Sequence, residues 1–511
     1  MSHTRKVLQG SASNIAKVVL GTLVALVLPP LLVHRMEPAE YGAWVLILQI
    51  AAYVNLLDVG LQTGIGKFVA QYDAAGDSRS SSRILSTSLA ILSVSALIGA
   101  LAIALIAWRV PQLFNQMPAA LVGDLREGIL LVGWSVALAL PFSAFLATFT
   151  GLQKYGFPTL LAMGSRLLSA AALIALILRG GTLVQLAMVI AGFNVATALG
   201  QYVGWKTYIG KRVVFSIHAI GRDCAVQLAK YCSTISVWTV ALLLVSGLDM
   251  VIVGHFDYKN TGYYGIAVSP TNFMVVIISG LFGPLVPALS ALQPERTPRQ
   301  LGELVIRTTR YCALLTCLVG LPLLVGAYPL LRLWVGSTYA TQSVRYLQVL
   351  VVGNAIRQLG YPYSLTVLAT GKQHLATLAG VIEALVNVTL SIYLVQHIGA
   401  IGVAIGTVVG AFVSVGLHIL LSIRLTSATV AISRRRFIWD GLLRPLLCVV
   451  PTVLLFPEWR HFELIPSALY WLAAWVVSTI SIAWLTGLTH GDRESLKQMF
   501  SRSFHLAKAS V

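Results

Sequence analysis

Charge is scarce in this sequence. Asp, Glu, Lys and Arg together make up 11% of the 511 residues, whereas ordinary soluble domains carry about 25%. Apolar runs of roughly 20 residues recur along the whole chain, and this is the length that crosses about 30 Å of hydrocarbon. The mean hydropathy of +0.81 agrees with these runs. The composition therefore excludes a soluble globular protein and predicts an all-α polytopic membrane protein.

Cysteine is scarce as well, and the motifs of several enzyme classes are missing. The five cysteines form no Cys-x-x-Cys pair and no Cys/His ligand spacing, so neither a disulfide framework nor a zinc site is indicated. The sequence contains no Walker-type glycine-rich loop, no Asp-x-Asp, no His-Glu-x-x-His and no Gly-x-Ser-x-Gly. ATP-driven pumping within the chain and soluble-type hydrolysis therefore lack support. We expect no enzymatic activity, no metal and no cofactor.

Acidic residues are half as frequent as basic ones, 18 against 36, which gives a formal net charge of +18. A nucleic-acid-binding protein would show a similar excess, but here the Lys and Arg residues lie in short connectors between apolar runs. If the N-terminus is cytoplasmic, about three times as many of them fall on the cytoplasmic side as on the other. We therefore predict cytoplasmic termini and no nucleic-acid partner.

The apolar runs predict about fourteen transmembrane spans. The first is interpreted as a retained span, because its apolar run continues to Val33 with no small-residue cleavage site before Pro38. The predicted spans are 13–33, 41–65, 84–108, 122–149, 158–179, 182–204, 229–253, 264–290, 309–333, 345–369, 375–396, 400–423, 437–456 and 467–487.

An internal repeat with an offset of 220 residues organises these spans. The offset superimposes 33–44 on 253–264, Gly60-Leu61 on Gly280-Leu281, and Thr150–Lys154 on Thr370–His374. In the first pair Glu37 meets Asp257, Gly42 meets Gly262 and Trp44 meets Tyr264. A duplicated half with an even number of spans predicts two six-helix bundles related by a pseudo-two-fold axis along the membrane normal. Two further helices follow the second bundle.

The repeat also predicts the division of the chain. The expected parts are an N-terminal bundle at 1–205, a cytoplasmic basic linker at 206–228, a C-terminal bundle at 229–424, and two additional helices with a basic cytoplasmic tail at 425–511. The linker carries Lys206, Lys211, Arg212 and Arg222. We interpret it as an amphipathic stretch that lies on anionic lipid and tethers the two bundles.

Charged residues inside predicted spans are costly in lipid, so each is a functional candidate. Lys17 and Asp249 lie near span ends, where an interfacial position is equally plausible. The full set is Lys17, Asp58, Arg166, Asp249, Arg357 and Glu383.

The tenth span carries the clearest polar face. Asn354, Arg357, Gln358 and Tyr361 follow the i, i+3, i+4, i+7 spacing of one helix face. This face must line a wet cavity or pack against polar partners, and we favour the cavity. The structural alternative is that Arg357 forms a buried ion pair with Glu383 that holds two helices together.

Three other spans show similar spacings. Span two has Asn55, Asp58 and Gln62, span six has Asn194, Thr197 and Gln201, and span eleven has Glu383 and Asn387. For span six we favour interhelical hydrogen bonds, which are worth about 0.6 kcal/mol each in membranes.

These faces predict a polar cavity between the two bundles. Arg357 and Arg166 are permanent cations suited to bidentate contact with phosphate, and Lys17 could assist them. Asn354, Gln358, Tyr361, Asn55 and Gln62 complete the predicted substrate site. Asp58, Asp249 and Glu383 would neutralise the arginines or bind a coupling ion.

Several short segments resemble the Wzx-type polysaccharide flippases of the MOP superfamily. They are Glu40–Trp44, Leu57–Leu61 and Ala75–Asp77 in the first half, and Leu248–Gly254 and Thr261–Tyr264 in the second. The resemblance covers about residues 10–425.

The resemblance implies a transporter of the bacterial inner membrane that serves O-antigen or exopolysaccharide biosynthesis. Its substrate would be an undecaprenyl-diphosphate-linked oligosaccharide, moved by alternating access of a V-shaped cavity. Membrane lipids and polysaccharide polymerase or assembly proteins would be its partners, and an H⁺ or Na⁺ gradient could drive it. Such flippases often cluster basic residues around the cavity, whereas Lys17, Arg166 and Arg357 are scattered over three spans.

Two other functions remain open from sequence. A MATE-like efflux pump for organic cations would favour acidic and aromatic residues in the cavity. A membrane glycan ligase or polymerase would need a large external loop with catalytic groups, and the external segments around 109–121 and 254–263 are too short for one.

Overall fold

The structure is a computed structural model that describes residues 20–58, 60–233, 247–283, 285–292, 296–447, 450, 465–489 and 491–494. Every regular element in these ranges is helical, which confirms the all-α fold class. Nine helices in the described ranges are long and apolar enough to cross a membrane. The chain divides into two compact units, residues 1–266 with 392–403, and residues 267–391 with 404–511. The predicted division into 1–205, 206–228, 229–424 and 425–511 stays a prediction.

Most helices overlap predicted spans, although some predicted spans are divided between two helices. In chain order they are α1 Leu20–Val33, α2 Pro38–Tyr53, α3 Leu61–Ala74, α4 Ser78–Leu113, α5 Ala119–Gly151, α6 Gly156–Leu178, α7 Leu183–Tyr208, α8 222–233, α9 Asp249–Phe256, α10 Thr261–Phe282, α11 Leu285–Leu292, α12 Pro298–Val325, α13 Ala327–Val335, α14 Ser337–Ala369, α15 Gln373–Ile398, α16 Ala400–Leu417, α17 434–447 and α18 Ile465–Ile482. The predicted spans 13–33, 229–253 and 437–456 lie partly outside the described residues.

The second predicted span is broken in the middle. Between α2 and α3 the chain forms a 3₁₀ turn at Val54–Asp58, and Gly60 then adopts a left-handed conformation with φ of 75°. An Asp58 carboxylate oxygen accepts the Gln62 backbone N–H at 3.5 Å, at the start of α3. The prediction that Asn55, Asp58 and Gln62 share one helical face is therefore wrong, because the backbone turns within the motif.

The segment after α7 packs onto the first unit. Val214 and Ser216 donate backbone N–H groups to the Ser82 and Ser86 hydroxyls of α4, at 2.9 and 3.0 Å. Ile209 and Val213 are buried in the same apolar cluster as Leu228 of α8. The segment 206–228 therefore packs against α4 and α8 of the first unit. Its predicted roles as a lipid-bound stretch and as a tether stay predictions.

Two helix ends that the repeat relates have the same geometry. After α5 the Lys154 N–H bonds to the Phe149 carbonyl at 2.9 Å, and after α14 the Lys372 N–H bonds to the Val367 carbonyl at 3.1 Å. Each lysine ammonium then donates to a helix-end carbonyl, of Tyr208 in one unit and Leu425 in the other. Corresponding contacts in both units support a duplicated design. The offset here is 218 residues rather than 220, so the sequence register drifts slightly.

The repeated glycines Gly42 and Gly262 contact each other inside the first unit. A Cβ on Gly42 would lie 3.2 Å from the Gly262 nitrogen, and a Cβ on Gly262 would clash with the Pro38 carbonyl oxygen. Small residues allow helix backbones to approach this closely in membrane proteins. Residues that a two-fold axis relates contact each other when they lie close to that axis. The contact between Gly42 and Gly262 therefore agrees with the repeat.

We expect Gly262→Ala to destabilise the protein by about 1–3 kcal/mol, because the new methyl group meets backbone that cannot move aside. Gly280→Ala is the matched control on the same helix, since its Cβ position has no atom of the other described elements within 4 Å. The control should be neutral or slightly stabilising. Thermal unfolding in detergent measures both changes, and equal values would contradict a packing role for Gly262.

Candidate functional site

The polar face of α14 contacts α15 through Arg357. The Arg357 Nε donates to the Glu383 carboxylate at 2.6 Å, and the Arg357 Nη1 donates to the Asn354 side-chain oxygen at 2.9 Å. The third nitrogen, Nη2, is buried and has no hydrogen-bond partner among the residues that the structure describes. Three predicted residues therefore meet in one place, with one donor still available.

The remaining residues of that face diverge. Gln358 is buried with its Oε1 unpartnered by any described residue, and its backbone oxygen accepts the Cys312 thiol of α12 at 3.2 Å. Tyr361 is half-buried one turn further along. The i, i+3, i+4, i+7 stripe is broad enough for the Gln358 backbone to contact α12 while the Arg357 side chain contacts α15.

Close helix packing positions Glu383. Glycines 406 and 410 of α16 let α15 approach, since a Cβ on Gly410 would lie 3.2 Å from the Glu383 carbonyl oxygen. Glu383 and Asn387 are both buried on that face of α15. The carboxylate is therefore held rigidly, and it fixes the guanidinium by a charge-assisted hydrogen bond.

The polar groups of the sixth predicted span bond to neighbouring helices. Asn194 on α7 donates to the Ser135 hydroxyl of α5 at 2.9 Å, and the Thr197 hydroxyl contacts that of Ser165 on α6. The prediction of interhelical hydrogen bonding for this span is confirmed.

The acidic candidates of the first unit occupy different surroundings. Asp58 is half-buried, and its Oδ1 has no hydrogen-bond partner among the described residues. Asp249 begins α9 and is buried within the first unit. Its carboxylate accepts the Tyr264 hydroxyl at 3.3 Å. The repeat makes Tyr264 equivalent to Trp44. Both positions carry an aromatic ring, but only the tyrosine has a hydroxyl that can donate to a carboxylate.

Sequence reasoning missed two polar groups beside Asp249. Gln49 and Tyr53, on one face of α2, both donate to the backbone carbonyl of Gly247, with the glutamine nitrogen at 3.1 Å. Their i, i+4 spacing on one helix face could have revealed them. They were missed because neither residue is charged.

The basic candidates of the first unit are only partly described. Lys17 lies outside the described residues. Arg166 is exposed on α6, and its guanidinium lies 3.0 Å from the Cβ position of Gly21 on α1. It pairs with no carboxylate in the described ranges, so its charge is not neutralised there. Asn55 and Gln62 are exposed on either side of the break between α2 and α3.

A charged network between α12 and the C-terminal segment was also missed. Asp492 is buried and accepts hydrogen bonds from Arg310 and from the Tyr311 hydroxyl, the latter at 3.1 Å, while Arg307 Nε lies 2.7 Å from the carboxylate. These arginines were interpreted only as topological charges at a span edge. Among the described residues, no group of three or more His, Cys, Asp or Glu side chains is placed to hold a metal ion.

Comparison with solved structures identifies the fold. The lipid II flippase MurJ in an inward closed conformation matches with a TM-score of 0.69 and 15% identity over 97% of this chain and 99% of that one. An inward-facing MATE multidrug resistance transporter of the MOP superfamily matches with a TM-score of 0.66 and 15% identity over 81% and 95%. A MOP transporter from Pyrococcus furiosus, described as having a binding pocket of reversed polarity, matches with a TM-score of 0.56 and 15% identity over 83% and 96%. No curated protein sequence matches the chain.

The sequence profile of a family described as polysaccharide biosynthesis protein matches residues 31–344, which is more than half of the chain. The structural matches add the fold of MOP superfamily transporters, and together they confirm the resemblance seen in the sequence. The chain therefore belongs to the polysaccharide biosynthesis protein family and is a multi-pass membrane protein of the MOP fold.

Proposed function

We propose that this protein is a flippase that moves a lipid-linked oligosaccharide across the bacterial inner membrane. The substrate would be an undecaprenyl-diphosphate-linked glycan of O-antigen or exopolysaccharide biosynthesis. It would pass from the cytoplasmic to the periplasmic leaflet by alternating access. No covalent bond needs to form or break, so no catalytic group is required. A polysaccharide polymerase or assembly protein would receive the translocated glycan.

The observation that carries the proposal is the half-buried Arg357, whose Nη2 atom is buried and has no partner among the described residues. Glu383 and Asn354 occupy two nitrogens of the guanidinium, and Nη2 has no described partner. A buried donor without an acceptor costs about 1–3 kcal/mol. A phosphate oxygen that accepted this donor would remove the cost and form a charge-assisted bond. Family membership in polysaccharide biosynthesis supports a glycan as the attached group.

Charge balance limits what Arg357 does alone. Because Arg357 forms an ion pair with Glu383, a diphosphate needs a further cation to be attracted. Arg166 pairs with no described carboxylate, and Lys17 is the other candidate of the first unit. In this proposal these cations attract the diphosphate, and Arg357 binds one of its oxygens.

The acidic candidates have a separate role in the proposal. The Asp58 Oδ1 is buried without a described partner, which makes this carboxylate the best candidate to bind a proton or Na⁺ that drives transport. Asp249 is held by Tyr264 and is a second candidate. Glu383 is committed to Arg357 and acts as the charge-balancing partner.

We also propose cytoplasmic termini, on the basis of the excess of basic residues at one end of the bundles. A cysteine introduced next to Arg212, in a background without native cysteines, should react only with reagents that enter the cytoplasm. Labelling of this cysteine from the outside would contradict the orientation.

Reconstitution into vesicles tests the function. Vesicles with the purified protein should translocate a labelled polyprenyl-diphosphate oligosaccharide, measured by accessibility of the sugar to an added glycosidase. The control is a glycan attached to the same polyprenol without phosphate. Its translocation rate should be lower by about tenfold or more, because charge-assisted hydrogen bonds contribute about 1.5–3 kcal/mol. Transport of organic cations without movement of the lipid would overturn the proposal in favour of efflux.

A further inference from the structure

A cleft of about 540 Å³ opens in the first unit where α3, α5 and α8 meet. Amide, hydroxyl, aromatic and ammonium groups line it together, and no acidic residue is among its described lining residues. The polar and aromatic members are Gln62, Thr63, Lys67, Thr150, Gln153, Tyr155 and Tyr231. Only Gln62 belongs to the predicted substrate site. A cleft with this lining accepts negative charge and hydrogen-bonding groups.

Lys67 gives the cleft its charge. Its ammonium lies 4.1 Å from the centre of the Tyr231 ring and 5.3 Å from that of Phe68. It forms no ion pair with any carboxylate that the structure describes. Two aromatic rings hold the ammonium by cation–π attraction, worth about 0.5–1 kcal/mol at exposed sites. The ammonium is thus positioned but not neutralised, and it remains available to an anion.

The floor of the cleft is closely packed backbone. A Cβ on Gly151 of α5 would lie 2.7 Å from the Gly66 carbonyl oxygen of α3. Both glycines line the cleft. The close approach of the two helices fixes the distance between Lys67 on α3 and Thr150 at the end of α5.

Gln153 occupies a strained position at the rim. Its φ of 56° is the one left-handed value found at a non-glycine residue in the described ranges. At the corresponding helix end of the second unit the chain uses Gly371, with φ of 74°. A left-handed conformation costs a non-glycine residue about 1–2 kcal/mol. Glycine serves the same turn in the second unit, whereas here the turn carries a glutamine that lines a polar cleft.

We infer that this cleft binds a sugar joined to a diphosphate. Lys67 contacts a phosphate oxygen, the Gln62 and Gln153 amides and the Thr150 hydroxyl bond to sugar hydroxyls, and the Tyr155 and Tyr231 rings pack against the sugar. The inference rests on the proposed function, because the transported head group is the first source of this chemistry. A soluble sugar nucleotide is the second source.

Binding of UDP-glucose to the purified full-length protein in detergent, measured by calorimetry, tests the lysine. Lys67→Gln should weaken binding about tenfold or more, because a charged hydrogen bond of about 1.5–3 kcal/mol is lost. Lys154→Gln is the matched control: it removes the same charge nearby, but the Lys154 ammonium donates to the Tyr208 carbonyl and does not line the cleft. Equal effects of the two variants, or no binding by the parent protein, would overturn the inference.

Gln153→Gly separates binding from folding. Glycine fits the left-handed conformation, so the variant should unfold at the same or a higher temperature than the parent protein. Its affinity for UDP-glucose should fall, whereas its affinity for inorganic pyrophosphate should not. Unchanged affinity for UDP-glucose would exclude Gln153 from the site.

Competition identifies the source of the ligand. Displacement of UDP-glucose by the polyprenyl-diphosphate oligosaccharide, together with slower translocation by Lys67→Gln, would place the cleft on the transport path. Displacement by soluble sugar nucleotides alone would overturn that link. Normal translocation by a Lys67→Gln variant that no longer binds UDP-glucose would also remove the cleft from the transport path, and it would leave the proposed function standing. Intact binding in a protein that moves no glycan would overturn the proposed function instead.

Discussion

Asp492→Ala is expected to destabilise the protein by about 3–5 kcal/mol, because it leaves a buried arginine without its counter-charge. The side chains of Asp492 and Arg310 are 3% and 7% exposed. The Arg310 Nε is already committed to the Asp440 carbonyl at 2.9 Å, so the guanidinium cannot turn towards water without losing that bond. Thermal unfolding in detergent measures the loss.

Asp223→Ala is the control for this variant. Asp223 also faces an arginine, Arg83, but at 3.8 Å and with its side chain 93% exposed. Exposed pairs contribute little, since water screens them, so the control should leave stability nearly unchanged. A similar loss in both variants would contradict a structural role for the buried network.

The network also predicts a pH dependence. Burial raises the pKa of Asp492, but hydrogen bonds from Thr489 and the charges of Arg310 and Arg307 outweigh it and hold the pKa below the ordinary value of 3.8. A lowered folded-state pKa gives stability that is fully present above the unfolded value and is lost as the pH falls through the folded value. The stability gap between the parent protein and Asp492→Ala should therefore be constant above about pH 5 and shrink below pH 3.8.

Arg357→Ala is expected to abolish glycan translocation and also to lower stability by about 3–5 kcal/mol. The stability loss follows because the Glu383 carboxylate, 6% exposed, would remain buried without a partner. Arg357→Lys keeps a charge for Glu383 but loses the planar fork that also reaches Asn354, so it should be stable and partly active. Abundance in the membrane and translocation in vesicles are measured together.

Charge reversal separates the two roles of this pair. In Arg357→Glu with Glu383→Arg the ion pair re-forms between α14 and α15, so stability should recover. The cation then lies on α15, away from Asn354, so translocation should remain lost if the guanidinium binds phosphate. Recovery of translocation in the double variant would assign Arg357 a purely structural role. Full translocation by a stable Arg357→Ala variant would remove the residue from the mechanism.

The sequence predicted those features that depend on the length of an apolar run and on the helical period. The spans and the span-six hydrogen bonds follow from spacing, and the alternative pairing of Arg357 with Glu383 follows from opposite charges on successive spans. The break between α2 and α3 was missed because hydropathy does not register the left-handed Gly60. The packing of 206–228 was missed because serine hydroxyls on α4 bond to backbone, which leaves no pattern in the linker itself.

The candidate site was predicted less well for a related reason. Counting Lys and Arg residues to orient the spans treats each as a solvated charge. Arg310 and Lys67 were both counted in this way, yet one is buried against Asp492 and the other lies over aromatic rings. Their partners are 182 and 164 positions away in sequence. No local spacing can reveal pairs at such separation.

The long separation between Arg310 and Asp492 also sets an order of assembly during synthesis. The two residues are 182 positions apart, so at 5–20 residues per second the ribosome needs roughly 10 to 40 s to supply the aspartate after the arginine. Glu383 follows Arg357 by 26 positions, which takes about 1 to 5 s. The Arg357–Glu383 pair between α14 and α15 can therefore form early in synthesis. The Arg310 guanidinium on α12 lacks the Asp492 carboxylate until the C-terminal segment has been made.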